Sequence, residues 1–114
     1  MPFINSKVSV AMSQEKKEAV KTKLGQAISL IPGKSETWLM VGFDDSYDLY
    51  FQGNQDGPTA FVEVKIYGSA SASAYSELTG AICDIYQEEL GIPKERTYVK
   101  YEEVANWGWN GSNF

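Results

Sequence analysis

Ala60-Phe61-Val62-Glu63-Val64-Lys65-Ile66-Tyr67 decides the fold of this chain, read together with residues 68–101. Ala60, Val62, Val64 and Ile66 fall on one face of a strand, and Phe61, Glu63, Lys65 and Tyr67 on the other. A small-residue stretch, Gly68-Ser69-Ala70-Ser71-Ala72-Ser73, leads into apolar positions at helical spacing: Leu78, Ala81, Ile82, Ile85 and Leu90. Gly91 and Pro93 end that helix, and Thr97 to Tyr101 read as a returning strand. A strand, a helix and a second strand in this order imply parallel pairing through a right-handed crossover.

The same order occurs earlier in the chain. Residues 3–10 read as a strand. Val20, Leu24, Ala27, Ile28 and Ile31 mark an amphipathic helix from Ser13 to Ile31, stopped by Pro32-Gly33. Thr37 to Phe43 predict a second, largely buried strand. Between the halves, Tyr47 to Gln52 read as a short edge strand and Gly53 to Pro58 as a turn-rich connector. The economical assembly is one α+β domain over residues 1–114, with two βαβ units in a four-stranded mixed sheet and both helices on one face. The Ala60/Val62/Val64/Ile66 face packs under the helices. The opposite face mixes Phe61 and Tyr67 with Glu63 and Lys65, which makes it or the sheet edges a candidate surface for self-association.

Composition narrows the chemistry. The chain has 114 residues, 43% of them apolar, and a formal net charge of −5. That size supports a single core. Its acidity argues against nucleic acid or an anionic membrane as primary partner. No run approaches the roughly twenty apolar residues of a membrane-spanning helix. The N-terminus lacks the basic and apolar regions of a secretory signal, so the expected location is the cytosol, and any secretion would proceed without a signal peptide. Cys83 is the one cysteine and histidine is absent. There is thus no disulfide framework, no CxxC pair and no His-based triad or zinc site. No metal or cofactor is expected.

Without histidine, acid–base chemistry near neutral pH needs another group. A terminal amine, ordinarily near pH 8, is the leading one. Pro2 follows Met1, and a small second residue usually permits removal of the initiator. Proline would then carry a free secondary amine on a rigid strand, a candidate general base whose basicity burial can lower.

Met1-Pro2, the two βαβ halves, Gly33-Lys34 after the first helix, Gly91-Ile92-Pro93-Lys94-Glu95-Arg96-Thr97-Tyr98 and the terminal Trp107-Gly108-Trp109-Asn110-Gly111-Ser112-Asn113-Phe114 together resemble the macrophage migration inhibitory factor family of the tautomerase superfamily. The similarity covers the whole chain. It implies a homotrimer whose three sheets wrap a central channel, with an active site at each subunit boundary. It implies that Pro2 moves a proton between carbon and oxygen of an α-keto acid such as an aryl pyruvate. Lys34 is then the residue that holds the substrate carboxylate and helps lower the proline pKa. The backbone at Tyr67-Gly68 lies at the substrate, Tyr98 comes from the neighbouring subunit, and Trp107, Trp109 and Phe114 form apolar walls.

Departures from the family pattern bear on substrate choice. Lys100 stands where better-known members carry asparagine, on the same strand face as Tyr98. This second cation favours substrates with an extra acidic group, lowers the proline pKa further, or weakens recognition of a hydroxyphenyl ring. Trp107 and Tyr67 replace smaller aliphatic residues and add bulk at the pocket. The family's thiol–disulfide activity depends on a CxxC at the start of the third strand. Here that stretch is Pro58-Thr59-Ala60-Phe61-Val62, which excludes the oxidoreductase reading. The expected function is therefore a phenylpyruvate- or dopachrome-type keto–enol tautomerase. The alternative is a secreted signalling protein that binds a receptor, with the proline pocket incidental.

Overall fold

The computed structural model describes Met1–Phe114. Four strands form the main sheet: β1 (Pro2–Val8), β2 (Met40–Asp44), β3 (Ala60–Tyr67) and β4 (Thr97–Val104). Two helices, α1 (Gln14–Ala27) and α2 (Ala72–Leu90), connect β1 to β2 and β3 to β4. The sheet order is β2-β1-β3-β4. Each βαβ half is parallel internally, and the halves meet through the antiparallel β1–β3 pair. This is the mixed α+β sheet that the repeated strand–helix–strand pattern predicts.

Alternation fixes which face is buried. Ile4, Ser6 and Val8 of β1 and Ala60, Val62, Val64 and Ile66 of β3 are almost wholly inaccessible. They pack with Val20 and Leu24 of α1, with Ile28 just beyond it, and with Leu78, Ile82, Ile85 and Tyr86 of α2. Burial of each large aliphatic contributes roughly 1.5–3 kcal/mol. Ser6 is the polar exception in β1, and its hydroxyl is hydrogen-bonded to the buried Tyr86 hydroxyl. The other sheet face is open and charged: Lys7 pairs with Glu63 at 2.7 Å, and Lys100 with Glu102 at 2.8 Å.

Both helices begin as serine-capped turns. Ser13 accepts from the Lys16 amide at 3.1 Å, and Ser71 accepts from the Ala74 amide at 3.0 Å. The first helix is shorter than its apolar spacing predicts. It tightens into a 3-10 turn over Ile28–Leu30 ahead of Pro32, as helix ends commonly do.

Three local expectations need correction. Residues 37–43 are not one buried strand: Glu36–Trp38 form a 3-10 turn, and β2 begins only at Met40. As an edge strand β2 is half-exposed, with Met40 at 68%. Tyr47 to Gln52 do not form a strand; the Tyr47 amide donates to the Val8 carbonyl at 2.9 Å, and Phe51 makes an isolated bridge with Asn54. Arg96 holds the adjoining loop in place through Thr59 Oγ1 (2.9 Å), Asn54 Oδ1 (3.2 Å) and the Asn54 carbonyl (3.2 Å). Finally, the last strand runs past Tyr101 to Val104, and a small hairpin succeeds it, β5 (Gly108–Trp109) with β6 (Ser112–Asn113).

Candidate active site

Topology brings the chain's N-terminus beside two remote segments. Pro2 opens β1 and sits opposite Ile66, one residue short of the end of β3. The Tyr67 amide donates to the Met1 carbonyl at 3.0 Å. The Tyr67 carbonyl accepts from Lys34 Nζ at 2.8 Å. Lys34 reaches it from the turn after α1, where Gly33 adopts φ +80°, a conformation that glycine takes at no steric cost. The segment is also tied back onto the helix: any Cβ on Gly25 would collide with the Glu36 carboxylate.

The terminal amine feels this environment. Burial, then the Lys34 charge, then the Lys34 hydrogen bond lower the Met1 α-amine from 8.0 to about 6. Desolvation and a like charge both disfavour the protonated form. The group is therefore mainly an unprotonated base at neutral pH. With Met1 in place, the Pro2 nitrogen is an amide. Removal of Met1 moves the free amine back by one residue, about 3.8 Å, and makes it a secondary amine at Pro2.

An apolar cleft of about 480 Å³ opens over Met1, Pro2 and Phe3. Its walls are Thr37, Trp38, Leu39 and Met40 on one side and Trp107, Gly108 and Trp109 on the other. Trp38 and Trp109 meet edge to face, centroids 5.1 Å apart. Phe114 lies 5.4 Å from Tyr67 and stacks parallel to Trp109 at 6.5 Å. A basic nitrogen, a lysine and an aromatic wall thus converge within one protomer. The arrangement suits an anionic, partly apolar small molecule from which a proton is to be moved.

Of the residues expected at the site, Pro2, Trp107 and Trp109 line this cleft, Lys34 and the Tyr67 carbonyl adjoin it, and Phe114 braces its wall. Tyr98 and Lys100 lie elsewhere in the same protomer. Tyr98 is opposite Phe61, near the start of β3, about 17 Å along the strand from the Pro2 end at the usual rise per residue. It packs edge to face on Phe51 at 5.1 Å. Lys100 is engaged by Glu102, and Glu63 lies nearby; both hold its pKa above the ordinary lysine value. Cys83 is buried in α2, where desolvation raises its thiol pKa, an environment that suppresses thiolate chemistry.

Sequence reasoning misses Trp38, Leu39 and Met40. Assigning residues 37–43 to one strand hides the turn that aims Trp38 at Trp109. The signal available was Trp38 itself, a large aromatic just after Pro32-Gly33-Lys34.

A two-layer α+β domain with a terminal amine beside a lysine in an aromatic cleft defines a narrow class of protein. Comparison with known proteins places it. The family model for macrophage migration inhibitory factor (MIF) matches residues 1–114, and the chain belongs to that family, within the tautomerase superfamily. It is 34% identical to macrophage migration inhibitory factor of Xenopus laevis over 99 residues, 85% of each chain. The crystal structure of Leishmania major MIF2 superposes with a TM-score of 0.93 at 35% identity, over 100% of this chain and 97% of that one. The homologue from Prochlorococcus marinus does so at 0.88 with 32% identity, covering 98% of each chain.

Proposed function

We propose that this protein is a keto–enol tautomerase for aryl or alkyl pyruvates such as phenylpyruvate, with Pro2 as its general base once Met1 is removed. The observation that carries this reading is the meeting of the N-terminal amine, Lys34 and the indole-lined cleft at one end of β1. The neutral Pro2 amine takes a proton from the carbon next to the ketone; the electron pair of that C–H bond becomes the new C=C bond, and the π pair of the C=O bond moves onto the carbonyl oxygen. The prolinium then returns the proton to that oxygen, which completes the enol; the reverse reaction retraces the path. Lysine has three N–H donors. One holds the Tyr67 carbonyl and a second is directed at the terminal amine, which leaves the third for a substrate carboxylate. The Trp107, Trp109 and Trp38 rings cover the substrate's apolar end. The reaction in this form uses no cofactor.

The same reading makes the active unit a homotrimer, in which Tyr98 and Lys100 enter the cleft of a neighbouring subunit. Lys100 arrives there already paired with Glu102, which weakens it as a free selector for a second substrate carboxylate.

The test is ultraviolet-monitored phenylpyruvate tautomerisation by protein whose intact mass shows Met1 removed, against Pro2→Gly. Loss of turnover in the variant with unchanged folding supports the proposal. Equal, negligible rates in both proteins overturn it for this substrate class.

A further inference from the structure

Asn110 and Gly111 form the two-residue loop between β5 and β6, whose ladder pairs Gly108 with Asn113 and Trp109 with Ser112. Both are left-handed, at φ +52° and +91°, as an Asn-Gly hairpin turn requires. Asparagine also occurs at positions 5, 54, 106 and 113, but only Asn110 precedes glycine. This matters chemically, because glycine has no Cβ to shield its own amide nitrogen from the preceding side chain. Asn110, Gly111 and Ser112 are all exposed. A two-residue ladder without a third strand opens readily, since an isolated hairpin is at best marginally stable.

We infer that Asn110 is a self-deamidation site whose conversion dismantles the aromatic wall of the Pro2 cleft. The Gly111 amide nitrogen, having lost its proton to base, attacks Asn110 Cγ. The bond from Cγ to the side-chain nitrogen breaks, and that nitrogen leaves as ammonia after taking up a proton. The product is a five-membered succinimide. Water then opens it at one of two carbonyls, giving aspartate or isoaspartate. The net change is amide and water to acid and ammonia, with no oxidant or cofactor.

The two products act differently. Isoaspartate routes the main chain through the side-chain carbon and lengthens a two-residue loop by one methylene. The Trp109–Ser112 register cannot absorb that change. Trp109 then leaves Trp38, and Phe114 loses the hydrogen bond its amide N–H donates to the Trp107 carbonyl (3.1 Å) and its seat against Tyr67. Aspartate preserves the backbone and adds only a negative charge beside the cleft wall. The consequence for turnover rests on the proposed tautomerase function; the chemistry and the structural change do not.

The experiment ages the full-length protein in warm, mildly alkaline buffer beside Asn110→Gly, which keeps the loop's backbone freedom without the amide. Freshly prepared Asn110→Asp supplies the charge without the extra methylene. Peptide mapping by mass locates the amide-to-acid change, enzymatic methylation detects isoaspartate, and tryptophan emission reports the wall. The expected result is a mass gain at the Asn110 peptide ahead of every other asparagine, isoaspartate at that peptide, and a parallel emission shift. Phenylpyruvate turnover is lost with the same time course. Asn110→Gly should show none of these changes, and Asn110→Asp should keep the wild-type emission. No preferential mass gain at Asn110 overturns the site, and isoaspartate formation without an emission shift overturns its link to the wall. A protein inactive from the outset would sink the tautomerase reading while leaving both of these readouts decisive.

Discussion

At the residue scale, the absence of histidine throws the weight of acid–base chemistry onto one terminal nitrogen, and its surroundings decide whether it can serve. A base acts only when unprotonated. The Met1 amine is lowered to about 6 by burial first and by Lys34 second. A Pro2 amine in the same cleft inherits both causes. The expected kcat/KM profile therefore rises with pH through an inflection below the ordinary terminal-amine value near 8. Lys34→Gln should move that inflection upward by part of the shift, since burial remains, and should raise KM by removing the carboxylate's partner. A pH-rate series on both proteins checks this. An unmoved inflection with only KM changed would assign Lys34 to binding alone. How Lys34 reaches the site is not legible in any local pattern. Residues 34 and 67 meet because β1 lies between β2 and β3 and because the turn after α1 folds back over the end of β3. The sequence pointed to Lys34 only through resemblance to a family.

At the scale of elements, what could be read depended on how periodic each one is. β3 alternates without interruption, so its core face is written in Ala60, Val62, Val64 and Ile66. β2 is short and lies at an edge, and Thr37-Trp38 before it have strand-like composition but form a turn. The β5–β6 hairpin has too few residues for any period, although Asn110-Gly111 is a turn signal in its own right. The polar contact hidden in the apolar pattern is Ser6 with Tyr86, strand to helix, both fully buried. Tyr86→Phe removes one partner and leaves the Ser6 hydroxyl without another, at a cost of about 1–3 kcal/mol. Replacing both, Ser6→Ala with Tyr86→Phe, should cost less than the sum of the single changes. Urea denaturation of the four proteins measures this coupling, and strict additivity would show that the two hydroxyls do not depend on each other. Burial also pushes the Tyr86 phenol well above its ordinary pKa, so the pair stays un-ionised across the range in which the enzyme would work.

At the scale of the molecule, the sheet order leaves β2 and β4 as free edges, and exposed apolar surface gathers near both. One patch rims the cleft, with Trp38, Met40, Trp109 and Phe114. The other lies around Tyr98, which is 58% exposed, with Tyr50 at 72%. Arg96 stacks over Phe51 at 5.5 Å and keeps this second patch in shape. Two different sticky surfaces at opposite sides of one chain favour head-to-tail contact, which closes into a ring when the rotation allows. A homotrimer of this kind would put Tyr98 of one subunit against Pro2 of the next, and that arrangement has a consequence a self-contained site lacks. Pro2→Gly and Tyr98→Ala should each depress phenylpyruvate turnover as pure proteins. Mixed trimers made by co-expression should recover part of it, because some boundaries then combine an intact Pro2 with an intact Tyr98. Sedimentation establishes that the mixed species form, and the rate of the mixture against the pure variants is the readout. Mixed trimers no more active than the mean of their parents would confine the site to one chain and leave Tyr98 a packing residue at the β4 edge.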